Sequence, residues 1–244
     1  MSRFGVDEAG KGPVLGSMFA AAVVVDPDEL PDDVGDSKGI DPDRREQLAA
    51  TIRGVADAVG VAEIPVERID DEETDMNSLT VAAHAEALGE IATDGLSGYV
   101  DAGDTNAVRF ERRVADAVDA DVEIRGEHGA DETYDVVGAA SIVAKVARDA
   151  HVDALAAEYG DVGSGYPGDA TTREFLEDYV AAHDCLPDCA RASWKTSQDV
   201  LAAASQASLG EFEPDGGRID GDAEARADGG RDQSDPTPTT LDDF

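Results

Sequence analysis

Residues 3–25 read RFGVDEAGKGPVLGSMFAAAVVV, and this stretch decides the fold. Residues 3–7 (RFGVD) read as a short strand that runs into a glycine-rich turn, AGKGPVLG. The apolar run SMFAAAVVV then reads as a buried second strand ending at Val25, so the two form a hairpin-like pair. Residues 26–39 are loop, and Asp41-Pro42 supplies an N-cap and a first-turn proline for a helix to about residue 58. Beyond it the pattern predicts a strand near 59–66, a helix over 75–93 and a strand over 97–101. A helix over 105–118 and a strand over 121–125 follow, then a long amphipathic helix over 138–159. Two more helices are expected over 171–182 and 195–208. Two adjacent strands followed by strands alternating with helices give an α/β layer fold with a mixed sheet. No internal repeat is evident.

The chain has 244 residues, enough for one domain with a sizeable core, expected over residues 1–208. Residues 209–244 lose all apolar periodicity and read as an acidic, disordered tail. Charge is the loudest signal in the composition. Fifty-five acidic residues face 19 basic ones, for a formal net charge of −36, which excludes a basic groove of the usual nucleic-acid-binding kind. Three readings fit such acidity: a disordered chain, a binder of basic partners, or a surface adapted to salt. Clear apolar periodicity to about residue 200 excludes the first for most of the chain. Arginine occurs 15 times and lysine four times, a balance that suits a salt-adapted surface. At 1 M salt the Debye length is about 3 Å, so self-repulsion is screened. No apolar run approaches the roughly 20 residues of a membrane span. The N-terminal residues lack the apolar segment of a signal peptide, and two cysteines cannot staple a disulfide scaffold, so a cytoplasmic chain is expected.

Several carboxylates fall where a sheet edge would gather them. Asp7 and Glu8 sit where the first strand breaks into Ala9-Gly10, and at such a break both are expected to converge on one side. Asp101 ends a strand, and Asp131 lies just ahead of the longest helix. Ligands of α/β proteins bind at such strand ends. Oxygen donors gathered there suit hard cations such as Mg²⁺ or Mn²⁺. Against this stands the abundance of acids, most of which must be solvated. GVDEAGKG (residues 5–12) falls one residue short of a phosphate loop. Gly12 replaces the required hydroxyl, and Asp7 and Glu8 would repel phosphates, so no nucleotide site is read there. The four lysines are Lys11 in GKG, Lys38 in DSKG, Lys145 in SIVAKVARD and Lys195 in SWKTS. His183, Cys185 and Cys189 lack a fourth zinc ligand and read as ordinary residues.

These segments resemble the motifs of one family, the type 2 ribonucleases H (ribonuclease HII), in its archaeal branch. GVDEAGKGPVLGSM resembles the first motif, DSKG the second, YVDAGD the segment of the third acid and ADETYDVVGAASIVAKVARD the fourth. GSGYPGD resembles the tyrosine loop and RASWKT the closing segment, all in family order from about residue 3 to 197. Lys11 stands where arginine is commoner, which keeps the charge but not the planar fork.

The resemblance implies a ribonuclease H-like mixed five-stranded sheet flanked by helices, with a small helical C-terminal portion. It implies an endonuclease that cuts the RNA strand of RNA–DNA hybrids and nicks duplex DNA 5′ to embedded ribonucleotides. Asp7, Glu8, Asp101 and Asp131 would hold two Mg²⁺ or Mn²⁺ ions. Gly10, Lys11, Gly12 and Tyr166 would grip the ribose, and Ser37, Lys38, Lys145 and Arg148 would contact phosphates. Lys145 and Arg148, three apart on a helix, share a face; the alternative is that they pair with nearby acids such as Asp149 or Asp153. A monomer is expected.

The last residues, TPTTLDDF, bear on a second partner. Leu241 and Phe244 have the spacing of a sliding-clamp peptide, with Pro238 in place of its glutamine and only one aromatic. Two other functions remain open: a non-catalytic hybrid-binding, clamp-tethered adaptor, and another ribonuclease H-like nuclease. Retention of four acids near phosphates argues against the adaptor. The GKG turn and Tyr166 distinguish an RNA-reading enzyme from a junction resolvase, which has no 2′-hydroxyl to read.

Overall fold

The apolar run at residues 18–25 becomes strand β2, every residue of which is buried. A strand without polar alternation needs cover on both faces, and helices supply it. The computed structural model describes residues 1–35 and 39–210, with side chains through residue 206. In chain order the elements begin with β1 (Arg3–Ala9), β2 (Met18–Val25), α1 (Pro42–Val55), β3 (Ala58–Ile64) and a short α2 (Val66–Ile69). They continue with α3 (Met76–Gly89), β4 (Ser97–Asp101), α4 (Ala107–Ala117), β5 (Glu123–Glu127), α5 (Asp135–Tyr159), α6 (Ala170–His183) and α7 (Lys195–Gly210). The sheet order is β3-β2-β1-β4-β5. β2 runs antiparallel to β1 and β3, while β1, β4 and β5 are mutually parallel. This is the expected mixed five-stranded sheet.

One face of the sheet packs Phe4, Val6 and Met18 against Leu79 and Leu88 of α3 and Phe110 of α4. The other packs Ala21 and Val23 against Leu48 and Ile52 of α1 and Val137, Ala140 and Ile142 of α5. Gly5 lets α5 approach this second face, because a Cβ there would lie 2.1 Å from the Val136 carbonyl oxygen. A third cluster joins Val14 and Leu15 to Leu155 of α5, Leu176 and Val180 of α6 and Val200 of α7. That cluster is the small helical C-terminal portion, and it seats the loop that follows β1. Local capping sets the helix starts. The Asp41 side chain accepts from the Arg44 amide, Asp75 from Asn77 and Ser78, and Asp169 from Thr171.

The structure shifts some expected boundaries. β5 begins at Glu123 rather than residue 121, because the Asp121 backbone bonds Gly95 and the Asp94 side chain instead of the β4 ladder. β3 stops before Pro65, which cannot donate to a ladder, and the unpredicted α2 follows. α5 starts at Asp135, three residues early, as a 3-10 turn at Ala130–Glu132 leads almost directly into it. β1 does not break at Asp7 but pairs with β2 as far as Ala9 opposite Phe19. Among the described residues, no helix is long and apolar enough to cross a membrane.

Candidate active site

The C-terminal ends of the parallel strands β1, β4 and β5 lie at one edge of the sheet, and the acids gather there. Asp7 and Glu8 are near the end of β1, Asp101 ends β4, and Asp131 sits on the 3-10 turn after β5. Because β1 stays regular, Asp7 and Glu8 point to opposite faces rather than converging on one side. Asp7 shares the Gly5 face and lies beside Ser141 of α5. Glu8 shares the Phe4 and Val6 face and meets His84 of α3. The two carboxylates still repel each other directly, Asp101 interacts electrostatically with both, and Asp131 acts on Asp101 in turn. The Ala130 amide donates to Asp101 Oδ1 at 2.8 Å, tying the Asp131 turn to the end of β4.

Electrostatics separates the acids. Burial pushes the Asp7 carboxyl well above the usual aspartate range, and the Glu8 and Asp101 charges push it further. Asp101 is raised mainly by burial, with Glu8 and Asp131 adding to it against the Ala130 hydrogen bond. Burial also penalises ionised Glu8, but its bond to His84 and the nearby Lys11 ammonium outweigh this and lower its pKa. His84 is fully buried, with Nε2 2.8 Å from Glu8 Oε2 and Nδ1 unpartnered among the described residues. A ring that donates from Nε2 leaves no buried Nδ1 proton unpaired. Phe110 meets the ring edge-on at 5.0 Å.

The donors are all oxygen, which suits Mg²⁺ or Mn²⁺ rather than a soft metal. Burial that penalises the charge on Asp7 and Asp101, together with the mutual repulsion of the carboxylates, fits a cation at this edge. Among the described residues no three ligating side chains converge on one ion position as they stand. Asp7 Oδ1 is taken by the Glu8 amide, Asp101 Oδ1 by Ala130 and Glu8 Oε2 by His84, so ion binding draws on the remaining oxygens and on side-chain adjustment.

Beside the acids lies a cleft of about 660 Å³. Glu8 forms its acidic end, and Gly10, Lys11, Gly12, Lys145, Arg148 and Tyr166 line it together with Arg45. The structure therefore gathers the residues read as ribose and phosphate contacts into one concavity. Asp7, Asp101 and Asp131 lie outside this lining. Gly10 takes a φ of 87°, a conformation that favours glycine. Tyr166 is half exposed, and its ring lies 3.8 Å from where a Cβ of Gly12 would be. The Val14 and Leu15 amides both donate to the Gly165 carbonyl, which fixes the glycine loop against the tyrosine loop.

Two of the cationic contacts differ from their sequence reading. Arg148 is not a surface cation beside Lys145 but is buried at 6% exposure. Its Nη2 donates to the Leu15 carbonyl at 2.9 Å, while Nε and Nη1 have no partner among the described residues. Lys11 turns its ammonium to the Gly103 carbonyl and the Glu8 side. Asp149 pairs with Arg45 of α1. Ser37, Lys38, Leu241 and Phe244 lie outside the described residues. Cys185 is exposed, and burial pushes the Cys189 thiol up to about 12.

Sequence reading missed His84, Ser141, Arg45 and Arg191. His84 could have been noticed as the one ring nitrogen within the otherwise apolar stretch SLTVAAHAEAL. Ser141 and Arg191 lie inside segments already singled out, but nothing local marks them, because their partners are at least 130 residues away in sequence.

Comparison with known proteins identifies the family. The family model described as ribonuclease HII matches residues 4–197. A ribonuclease HII of the halophilic archaeon Haloarcula marismortui is 72% identical over 210 residues, covering 86% of this chain and 100% of the relative. Among solved structures, the ribonuclease H2 of Pyrococcus horikoshii OT3 matches with TM-score 0.79 and 33% identity, over 84% of this chain and 100% of that one. A complex of PCNA with ribonuclease HII from Archaeoglobus fulgidus matches with TM-score 0.72 and 36% identity, over 80% of this chain and 96% of that one. The halophilic relative accords with the salt-adapted source read from the charge balance. Motif order, sheet topology and the acids at the strand ends thus converge with these matches: the chain belongs to the ribonuclease HII family, endoribonucleases acting on RNA–DNA hybrids.

Proposed function

We propose that the chain hydrolyses the RNA strand of hybrids and also nicks duplex DNA 5′ to embedded ribonucleotides, leaving 5′-phosphate and 3′-hydroxyl ends. The observation that carries this reading is the juxtaposition of coupled acids with the Gly10–Gly12 cleft. Asp7, Glu8, Asp101 and Asp131 would hold two Mg²⁺ or Mn²⁺ ions. When bound, such ions lower the pKa of the attacking water and stabilise the leaving 3′-oxygen.

The chain's own residues do the rest. Burial disfavours the ionised form of Asp7 and Asp101, a penalty that bound cations would offset. His84 orients Glu8 by holding one of its oxygens. Lys145 meets backbone phosphates along the cleft, and Arg148, held to the Leu15 carbonyl, adds positive charge behind the loop. The Gly10–Gly12 backbone reads the 2′-hydroxyl while Tyr166 packs on the sugar. With a net charge of −36, long-range attraction to DNA is absent, so short hydrogen bonds and ion bridges must carry binding.

The test is a gel assay in molar KCl on a duplex carrying one ribonucleotide, with Mg²⁺ or Mn²⁺. A single nick 5′ to the ribonucleotide, lost in Asp101→Asn, is expected. No cut by folded protein would favour a non-catalytic adaptor, and a cut indifferent to the 2′-hydroxyl would favour another nuclease of this fold.

The Archaeoglobus fulgidus relative assembles with PCNA, which supports a sliding clamp as a partner here. Leu241 and Phe244 would dock it, and Leu241→Ala with Phe244→Ala should abolish clamp pull-down. Unchanged capture would remove this assignment.

A further inference from the structure

Arg191 is completely buried, yet among the described residues its guanidinium pairs with no carboxylate. It donates instead to three carbonyls of a single loop. Nη2 reaches Gly10 O at 2.6 Å, Nη1 reaches Lys11 O at 3.0 Å, and Nε reaches Gly16 O at 2.9 Å. Its own backbone amide donates to Val14 O at 2.8 Å. The Trp194 ring covers the guanidinium, with 4.9 Å from Cζ to the ring centroid. Arg148 takes a further carbonyl of the loop, Leu15 O. The carbonyls of Gly10, Lys11, Val14, Leu15 and Gly16 are thus all bonded from behind.

The amides show the complementary pattern. Those of Val14, Leu15, Gly16 and Ser17 donate to Gly165 O, Cys189 O and His151 Nε2. The Lys11 and Gly12 amides make none of the turn, loop or cap hydrogen bonds of the described residues. In a peptide unit N–H and C=O point in opposite directions across a plane. Fixing the Gly10 and Lys11 carbonyls inward therefore turns the Lys11 and Gly12 amides outward, toward the cleft that Gly10, Lys11 and Gly12 line.

We propose that Arg191 is a positioning residue for ribose recognition. Its three-pronged hold on the Gly10–Gly16 carbonyls aims the Lys11 and Gly12 N–H groups at the 2′-hydroxyl of the substrate. The inference deepens the function proposed above and rests on the Gly10–Gly12 turn being the ribose reader. Buried charges normally face opposite charges, so a full guanidinium bonded to backbone alone is an expensive device, suited to a loop that must be rigid. Burial draws the Arg191 pKa down to about 10, which leaves it charged at neutral pH. A lysine in its place keeps the charge but not the planar fork that serves three acceptors at once.

The experiment compares wild type with R191K and R191Q on a single-ribonucleotide duplex and on a continuous RNA–DNA hybrid, alongside Mn²⁺ titration calorimetry. Both variants should lose roughly 10²-fold in kcat on the single-ribonucleotide duplex, the scale of an ångström-sized misplacement of a reacting group. The continuous hybrid should suffer less, since neighbouring riboses offer other registers, and Mn²⁺ affinity should not move. Restoration of the wild-type ratio by R191K would show that charge alone matters and would overturn the proposal. So would an equal loss on both substrates. If the Arg191 variants do not fold, W194F tests the same hold, because a weaker aromatic face seats the guanidinium less firmly. A smaller shift of the ratio in the same direction is then expected, and an unchanged ratio overturns the proposal. Failure of the wild type itself to nick the single-ribonucleotide duplex would instead remove the underlying functional reading.

Discussion

The two ends of the cleft are built on opposite electrostatic plans. At the strand ends, Asp7, Glu8 and Asp101 crowd together, and burial raises the pKa of Asp7 and Asp101. Under the glycine loop, Arg148 and Arg191 are buried, pair with no carboxylate among the described residues and donate hydrogen bonds to backbone carbonyls. At the acidic end burial and mutual repulsion work against the charges gathered there, a penalty that the proposed cations would offset. The basic end is largely satisfied by the chain itself and works by holding a loop still. One end stores repulsion, and the other uses charge for rigidity. This division lets a strongly acidic protein handle a polyanion without a basic surface.

The largest effect should come from the acidic end. Asp101→Asn removes a residue that couples Asp7, Glu8 and Asp131. Cleavage should fall by about 10³-fold or more, beyond the loss from a single lost electrostatic stabiliser. Initial rates on hybrid and single-ribonucleotide substrates measure it, and near-normal rates would remove Asp101 from the site.

His84 is the next place to break the contrast, because it holds Glu8 from the buried side. His84→Ala should weaken Mn²⁺ binding by roughly 10- to 100-fold, as loss of outer-shell partners generally does. His84→Gln keeps an N–H donor and should recover most of that affinity. Titration calorimetry reads both, and equal binding by all three proteins would reduce His84 to a core residue.

At the sugar-reading end, Tyr166→Ala should reduce nicking at a single ribonucleotide by about tenfold, equivalent to ~1.4 kcal/mol. Cleavage of a continuous hybrid should fall less. Equal losses would place Tyr166 outside ribose recognition.

The smallest effect concerns stability and has the opposite sign to activity. A folded state that holds protons more tightly than the unfolded one loses stability as pH rises. Asp7 and Asp101 are such groups, so their contribution declines as pH climbs above 3.8, the ordinary aspartate value. Glu8, with its lowered pKa, works in the other direction and stabilises until pH falls through its folded value. Asp7→Asn should therefore raise the metal-free melting temperature at neutral pH and flatten the decline while abolishing cleavage. The gain should be about 0.5–2 kcal/mol, the usual size of one stabilising substitution. That corresponds to roughly 2–4 °C per kcal/mol in a chain of this size. A lower melting temperature in Asp7→Asn would contradict the stored repulsion.

The sequence alone carried the fold class, since its signals are local. An uninterrupted apolar run demands cover on both faces, helix starts are written in Asp-Pro and Asp caps, and the acids fall at strand ends and before the longest helix. It also marked the acids and the glycine turn as candidates, because each motif is contiguous. Three matters were decided only by tertiary structure. Asp7 and Glu8 part to opposite faces because β2 continues the ladder to Ala9. Arg148 leaves the surface because the loop after β1 folds over it and offers the Leu15 carbonyl. His84 and Arg191 acquire their roles from partners 76 and 175 or more residues away, respectively. Periodicity and capping report what a residue does to its own helix or strand. They are silent about which distant carbonyl or carboxylate a buried side chain meets, since that is set by how the layers pack.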